Sequence, residues 1–190
     1  MFRGFGSHGT TAYHAISIRK NGFDPSMTAL GRAGHGCYFW AYETDSKIAD
    51  RLAYEWWQYC KTRSDSPYDP NKDCRFNLFR VELLTSEENI FDGDNPAFME
   101  AFYRIKQEPK NRYKSSGIIV QEMISLFQHE YRKRVNDKAF SYHAIKLPLS
   151  LPPKTTYNTP FSKGYLGYIV INKKIISISN DLTEPIINPL

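Results

Sequence analysis

The sequence contains no long apolar segment and few cysteines. No stretch of its 190 residues approaches the roughly 20 apolar residues that a membrane-spanning helix needs. The opening residues 1–6 also lack the apolar core of a secretory signal. The three cysteines are an odd number and show neither a C-x-x-C pair nor zinc-ligand spacing. We therefore expect a soluble, cytoplasmic protein with reduced thiols and no metal site.

Acidic residues are missing from a long part of the second half. No Asp or Glu lies between positions 138 and 180. Residues 104–190 carry a net charge of +8, whereas residues 1–103 carry −3. Tyrosines interleave with the cations in "YRIKQEPKNRYK" and "HEYRKRVNDK", which is typical of surfaces that contact phosphates and stack on bases. A solvated basic helix face is the alternative interpretation.

The apolar content is sufficient for a folded core. Apolar residues make up 41% of the chain, and its length favours one domain over residues 1–190. Helices are predicted in "AYHAISIRKN", "SKIADRLAYEWWQYC" and "EMISLFQHEYRKRV", and strands in "GCYFW", "FNLFRVELL", "SGIIVQ", "YHAIKLPL" and "GYIVINKKIISIS". Thr10 or Thr11 is predicted to cap the first helix, which ends at Gly22. Because strands and helices do not alternate strictly, we predict an α+β fold with a mainly antiparallel sheet.

Two segments near the start of the chain suit a ligand pocket. His8-Gly9-Thr10 places an imidazole beside a backbone that carries no shielding side chain. The second segment contains three glycines and then Tyr38-Phe39-Trp40, whose ring faces could hold a planar heterocycle. Together they predict a pocket for a ribose and an aromatic ring. A hydrogen-bonded structural histidine with three core aromatic rings is the alternative interpretation.

The order of these motifs resembles the catalytic domain of the poly(ADP-ribose) polymerase-like, diphtheria-toxin-like ADP-ribosyltransferases. In that family H-G-T/S is followed by a helix, a glycine-rich loop with G-x-Y-F, and a helix that begins near S-K-x-A. This chain has His8-Gly9-Thr10, then Gly36-Cys37-Tyr38-Phe39, then Ser46-Lys47-Ile48-Ala49. The resemblance covers residues 5–60 well and implies a split antiparallel sheet flanked by helices.

The resemblance implies that NAD is the substrate. His8 is expected to hydrogen-bond the nicotinamide ribose, the Gly9 backbone to hold the carboxamide, and Tyr38 to pack against ribose and ring. A second tyrosine on the following helix stacks on nicotinamide in the family; Tyr54 matches it by residue type, whereas Arg51 matches it by spacing. The NAD-binding residues implied are His8, Gly9, Thr10, Tyr38, Phe39 and Tyr54.

The family's catalytic glutamate has no counterpart in the predicted last strand. "LGYIV" has Gly167 where the family has the acid that stabilises a cation-like ribosyl transition state. Three alternatives follow: a mono-ADP-ribosyltransferase that works without this acid, an acid from elsewhere, or an inactive NAD-binding module. Glu122, predicted at a strand-to-helix junction, is the candidate acid beside His8 and Tyr38, although it equally suits a helix start.

The acceptor is predicted from the basic half and from the loop "LPPKTTYNTPFSKGY", which lies where relatives carry the acceptor-selecting loop. We expect Tyr157, Asn158 and Lys163, with Arg132 and Arg134, to contact RNA or DNA in preference to protein. Family-level analogy favours a microbial toxin or phage-defence effector, with a neutralising antitoxin protein as a further partner. A protein-directed transferase, an RNA 2′-phosphotransferase and an inactive basic binding module remain open.

Overall fold

The structure, a computed structural model, describes residues 1–28, 31, 34–153, 155 and 164–182. In these residues the chain forms a seven-stranded sheet and four α-helices. In chain order they are β1 (Phe2–Thr11), α1 (Ala12–Asn21), β2 (Cys37–Tyr42), α2 (Lys47–Thr62), β3 (Phe76–Thr85), β4 (Ile90–Asp92), α3 (Pro96–Gln107), α4 (Ser116–Val135), β5 (Ala144–Ser150), β6 (Gly164–Val170) and β7 (Ile176–Leu182). The predicted α+β class is confirmed.

The sheet has the strand order β4-β5-β6-β2-β1-β3-β7. Its pairs are antiparallel except β4–β5, which is parallel, so the sheet is mixed and the prediction of a mainly antiparallel sheet is confirmed. The two halves are joined by only three residue pairs of β1 and β2, which end at Ser7 opposite Trp40. Beyond that point β1 continues along β3, and β2 continues along β6. The described strands therefore form one sheet that is narrowly joined at its centre.

Both faces of the sheet are covered. Successive side chains of a strand point to opposite faces, and β2 shows this directly. Phe39 and Ala41 pack with Ala15 of α1 on one face. Trp40 packs on the other face, where α2, α3 and α4 contribute residues such as Leu52 to the larger apolar cluster. The centre of the sheet is thus held between two apolar layers.

The predicted ends of the first helix are confirmed. The Thr11 hydroxyl accepts a hydrogen bond from the His14 amide (3.2 Å), and Gly22 closes the helix with φ +73°, a conformation that favours glycine. The strand predicted in "SGIIVQ" is wrong, because these residues begin α4, capped by Ser115. A short apolar run cannot be assigned to a strand or a buried helix by periodicity alone. Within the described ranges, no helix has the length and apolar character to cross a membrane.

Candidate functional site

A cavity of about 1370 Å³ lies where β1 and β2 stop pairing. The lining residues that the structure describes are called here the described wall. They come from the end of β1, one face of α1, the glycine segment before β2, α2, α3, the start of α4 and the end of β5. His8, Gly9, Thr10 and Tyr38 all line it. His8 and Tyr38, which are 30 residues apart in the sequence, are therefore brought together around one cavity, as the motifs predicted.

The His8 ring is fixed by its neighbours. Its Nδ1 lies 2.9 Å from the Tyr38 carbonyl oxygen, and the ring packs against Phe23 and Phe39 with centroid distances of 5.2 and 5.6 Å. A carbonyl oxygen only accepts, so Nδ1 carries the proton and Nε2 of the neutral ring is an acceptor. Nε2 has no hydrogen-bond partner among the described residues. It can therefore accept a hydrogen bond from a ligand hydroxyl.

The charge state of His8 is set by burial. Removal of the ring from water lowers its pKa below the usual 6.5, and the bond to the Tyr38 carbonyl only partly offsets this. His14, which also lines the cavity, lowers the pKa of His8 a little further through charge repulsion. His8 is consequently a neutral acceptor near pH 7.

This shift predicts a pH dependence of stability. Between the lowered pKa and 6.5, the unfolded chain binds a proton that native His8 does not, so the free energy of unfolding falls as pH falls through that window. His8→Asn should flatten part of this loss when unfolding by denaturant is compared at about pH 7.5 and about pH 5.5. His143, whose pKa burial also lowers, is present in both proteins and cancels in the comparison. Identical pH dependence of unfolding in the two proteins would contradict the lowered pKa of His8.

Tyr38 is held by the glycine segment before β2. Its hydroxyl donates to the Gly34 carbonyl (2.7 Å), and Gly31 packs so closely that an added Cβ would lie 2.2 Å from the Tyr38 hydroxyl oxygen. The segment rests in turn on α4, because a Cβ on Gly117 would lie 2.1 Å from the Gly31 carbonyl oxygen. The orientation of Tyr38 therefore depends on Gly31, Gly34 and Gly117, the last of which lies at the start of α4.

The other residues predicted around NAD have different surroundings. Gly9 and Thr10 line the cavity, and a Cβ on Gly9 would lie 2.3 Å from the Ala53 carbonyl oxygen, so Gly9 also permits the close approach of α2. Phe39 is fully buried behind the His8 ring and is absent from the described wall. Its contribution is therefore to hold the imidazole.

The helix α2 presents a different aromatic residue from the one predicted. Tyr54 packs on Trp57 and Phe76 in the core, with ring centroids 5.5 and 5.2 Å away, and is not among the described wall residues. Arg51, the alternative by spacing, pairs with Glu55 on the same helix. The wall instead contains Ala53, Trp56 and Cys60. Their spacing of three and four residues marks one helix face, and this was the signal that could have identified Trp56.

The predicted acid Glu122 lies away from the cavity wall. It is within α4, not at a strand-to-helix junction, and it pairs with Lys114 (2.8 Å). Among the described wall residues, Asp24 is the one carboxylate. It accepts hydrogen bonds from the Ser26 amide (3.0 Å) and hydroxyl (2.6 Å), which lower its pKa and keep it ionised.

Gly167 occupies a crowded position at the centre of the sheet. It lies opposite Trp40 of β2 and Leu147 of β5. A Cβ at this position would lie 2.2 Å from Leu149 Cδ1 and 2.8 Å from the Phe39 carbonyl oxygen. The family's glutamate therefore has no space here.

The predicted acceptor residues are only partly placed. Arg132 donates to the Phe140 carbonyl (2.6 Å), and the Arg134 guanidinium lies 5.1 Å from the Tyr131 ring centroid. Both are at the carboxyl end of α4 and neither belongs to the described wall. Tyr157, Asn158 and Lys163 lie outside the described residues.

No family model matches the chain, and no curated protein matches it either. In the part of the chain that the structure describes, no group of three His, Cys, Asp or Glu side chains could hold a metal ion. The function is therefore argued from the cavity and its side chains.

Proposed function

We propose that the protein is an NAD-dependent mono-ADP-ribosyltransferase, which cleaves the nicotinamide N-glycosidic bond and transfers ADP-ribose to a macromolecular acceptor. The observation that carries the proposal is the neutral imidazole of His8, which lies on the wall of a large cavity. Its Nε2 is an acceptor that has no hydrogen-bond partner among the described residues. Gly9 and Tyr38 lie beside it in that wall. This combination suits a ribose hydroxyl next to a planar amide-bearing ring.

The edge of β1 supports the placement of nicotinamide. Past Ser7, β1 has no strand partner on its β2 side in the described residues. Backbone amide and carbonyl groups at such an edge need hydrogen-bond partners, and a carboxamide offers both a donor and an acceptor. Gly9 lines the cavity at this edge, and the close approach of α2 requires a glycine there. The nicotinamide is thus expected between Gly9 and the Tyr38 ring, with its ribose hydroxyl on His8 Nε2.

The chemistry needs stabilisation of a positive ribosyl carbon. When the bond from the anomeric carbon to the nicotinamide nitrogen breaks, its electron pair leaves with nicotinamide and the ribosyl group becomes cation-like. An acceptor nucleophile then bonds to that carbon and releases its proton to solvent. An ionised carboxylate stabilises this transition state more than the ground state. We assign this role to Asp24, the acid of the described wall.

Asp24→Asn should separate this assignment from the one made from sequence. The change removes the charge but retains a residue that caps a helix turn well, so the turn Pro25–Met27 should persist. We expect nicotinamide release to slow by about 100-fold, the cost of losing one preorganised electrostatic group. Glu122→Gln removes a charge of the same sign outside the wall. A larger loss in Glu122→Gln than in Asp24→Asn would contradict the assignment.

The proposed activity is tested by incubating the purified protein with NAD and measuring free nicotinamide, alone and with RNA, DNA or protein added. A transferase releases nicotinamide and does so faster when its acceptor is present. Release that no macromolecule accelerates would indicate an NAD hydrolase. Binding of NAD without release would favour the inactive module that the occupied space at Gly167 permits. A role as a toxin or phage-defence effector is part of the proposal and rests on the resemblance alone.

A further inference from the structure

A basic segment borders the cavity at the connection between α3 and α4. Residues 103–116, called here the basic segment, contain five Lys or Arg and one Glu. Its first residue, Tyr103, and its last two, Ser115 and Ser116, line the cavity. The cavity-lining residues that the structure describes include no Lys or Arg, so the cations of the basic segment lie beside the wall and not in it. An anionic ligand that approaches the cavity therefore meets cations at this border.

The basic segment has a defined backbone conformation. The Lys106 ammonium donates to the Lys114 carbonyl (2.6 Å), which ties the two ends of the connection together. Buried Asn111 donates from its side-chain amide to the Ile105 carbonyl (3.0 Å). The exposed cations between these ties are consequently presented from a fixed scaffold, which lowers the entropy cost of binding.

The segment also exposes aromatic rings. The Tyr113 side chain is 93% exposed and Tyr103 is 57% exposed, although burial of a tyrosine ring is normally favourable. Neither the Tyr113 ring nor the Arg112 guanidinium has a side-chain partner among the described residues. Rings and guanidinium groups that alternate with cations are suited to stacking on unpaired bases and to contacting phosphates.

We propose that the basic segment binds single-stranded nucleic acid and directs it toward the cavity as the acceptor of ADP-ribose. The acceptor role rests on the proposed function, whereas the binding does not. The strand's phosphates lie against Lys110 and Arg112, and its bases stack on Tyr113 and Tyr103 as the chain approaches the cavity. A duplex keeps its bases stacked on each other and cannot use the rings in this way.

The placement differs from that expected from sequence. Arg132 and Arg134 are about 24 Å or more from the start of α4, given the rise of a helix per residue. Arg132 is also engaged with the Phe140 carbonyl. The carboxyl end of α4 therefore provides a control surface whose net charge has the same sign.

The test is the fluorescence anisotropy of a labelled single-stranded oligonucleotide of mixed sequence, as RNA and as DNA, titrated with the full chain at several salt concentrations. Lys110→Ala/Arg112→Ala should weaken binding about tenfold and lower the salt slope by about 1.4, the value for two lost phosphate contacts on a single strand. Tyr113→Ala should weaken binding about tenfold with an unchanged salt slope, because it removes stacking and not charge.

The control is Lys133→Ala/Arg134→Ala. It also removes two cations, and Lys133 and Lys110 each pair with a glutamate at 3.1 Å. Binding should weaken less than twofold in this variant. Equal losses in the two double variants, preference for a duplex, or no binding by the wild type would each overturn the proposal. So would transfer of ADP-ribose to lysate protein with no transfer to the oligonucleotide.

The two proposals fail in different ways. Nicotinamide release is measured with NAD alone, and oligonucleotide binding is measured without NAD. Oligonucleotide binding without nicotinamide release would overturn the transferase and keep the surface. Nicotinamide release that protein accelerates, without oligonucleotide binding, would overturn the surface and keep the transferase.

Discussion

Replacing His8 by alanine is expected to slow nicotinamide release from NAD by at least about 100-fold, the usual cost of removing one preorganised group from a catalytic site. The change removes the Nε2 acceptor for the ribose hydroxyl. It also removes the Nδ1 bond that ties the end of β1 to the Tyr38 carbonyl. Misplacement of the ribose by about an ångström is enough to cost much of the rate. The measurement is the steady-state rate of nicotinamide release at saturating NAD.

Two further variants distinguish the role of His8 as a hydrogen-bond acceptor from a role in packing. His129→Ala removes an exposed histidine on α4 that is not part of the described wall, and should leave the rate within about twofold. His8→Leu fills more of the space beside Phe23 and Phe39 than alanine does, but it has no polar atom that could replace Nε2. We expect both His8 variants to lose activity while they remain folded. A leucine variant with wild-type activity would show that His8 acts only through packing.

Gly167→Glu is expected to destabilise the fold by at least about 3 kcal/mol and to add no activity. The side chain would be placed where even its Cβ lies 2.2 Å from Leu149 Cδ1, at the centre of the sheet between β2 and β5. Overpacking and burial of a carboxylate act in the same direction. Denaturant unfolding at neutral pH measures the loss.

Ile171→Glu is the matched control for this change. Ile171 directly follows β6 and is 41% exposed, so the same new charge should cost less than about 1 kcal/mol there. A Gly167→Glu protein that is as stable as wild type and releases nicotinamide faster would contradict the account. That result would place the missing acid of the family at this position and would exclude the role assigned to Asp24.

The sequence predicted those parts of the fold that local chemistry determines. Thr11 and Gly22 delimit α1 through capping and a positive φ, and these signals depend on residues a few positions apart. The strands β2 and β3 were predicted because their runs are rich in aromatic and apolar residues. The cavity position of His8 and Tyr38 was predicted from the order of two motifs, and the structure places both in one wall.

Other features depend on contacts between distant segments. The face of α2 that meets the cavity is set by packing against the sheet, so the choice between Tyr54 and Trp56 could not be made from residue type. An apolar run such as "SGIIVQ" fits a buried strand and the buried start of a helix equally well. The Ser115 cap favours the helix. α3 was not predicted, although Asn95 and Pro96 at its start are ordinary helix signals.

The basic surface that meets the cavity is another feature that depends on contacts between distant segments. Two basic stretches with similar composition lie at opposite ends of α4, and composition alone cannot rank them. The topology places Tyr103 and Ser116 in the cavity wall and directs Arg132 toward the Phe140 carbonyl. Which basic stretch meets a ligand is therefore decided by the connection between α3 and α4.

Transfer of ADP-ribose from NAD at this cavity is measured with NAD labelled in its adenylate part. The purified wild type and His8→Ala are each incubated with the labelled NAD and with single-stranded RNA, single-stranded DNA or cell lysate. We expect label on a single-stranded nucleic acid with the wild type, and loss of at least about 99% of that rate in His8→Ala. Absence of label on every acceptor, or equal labelling by the two proteins, would contradict it.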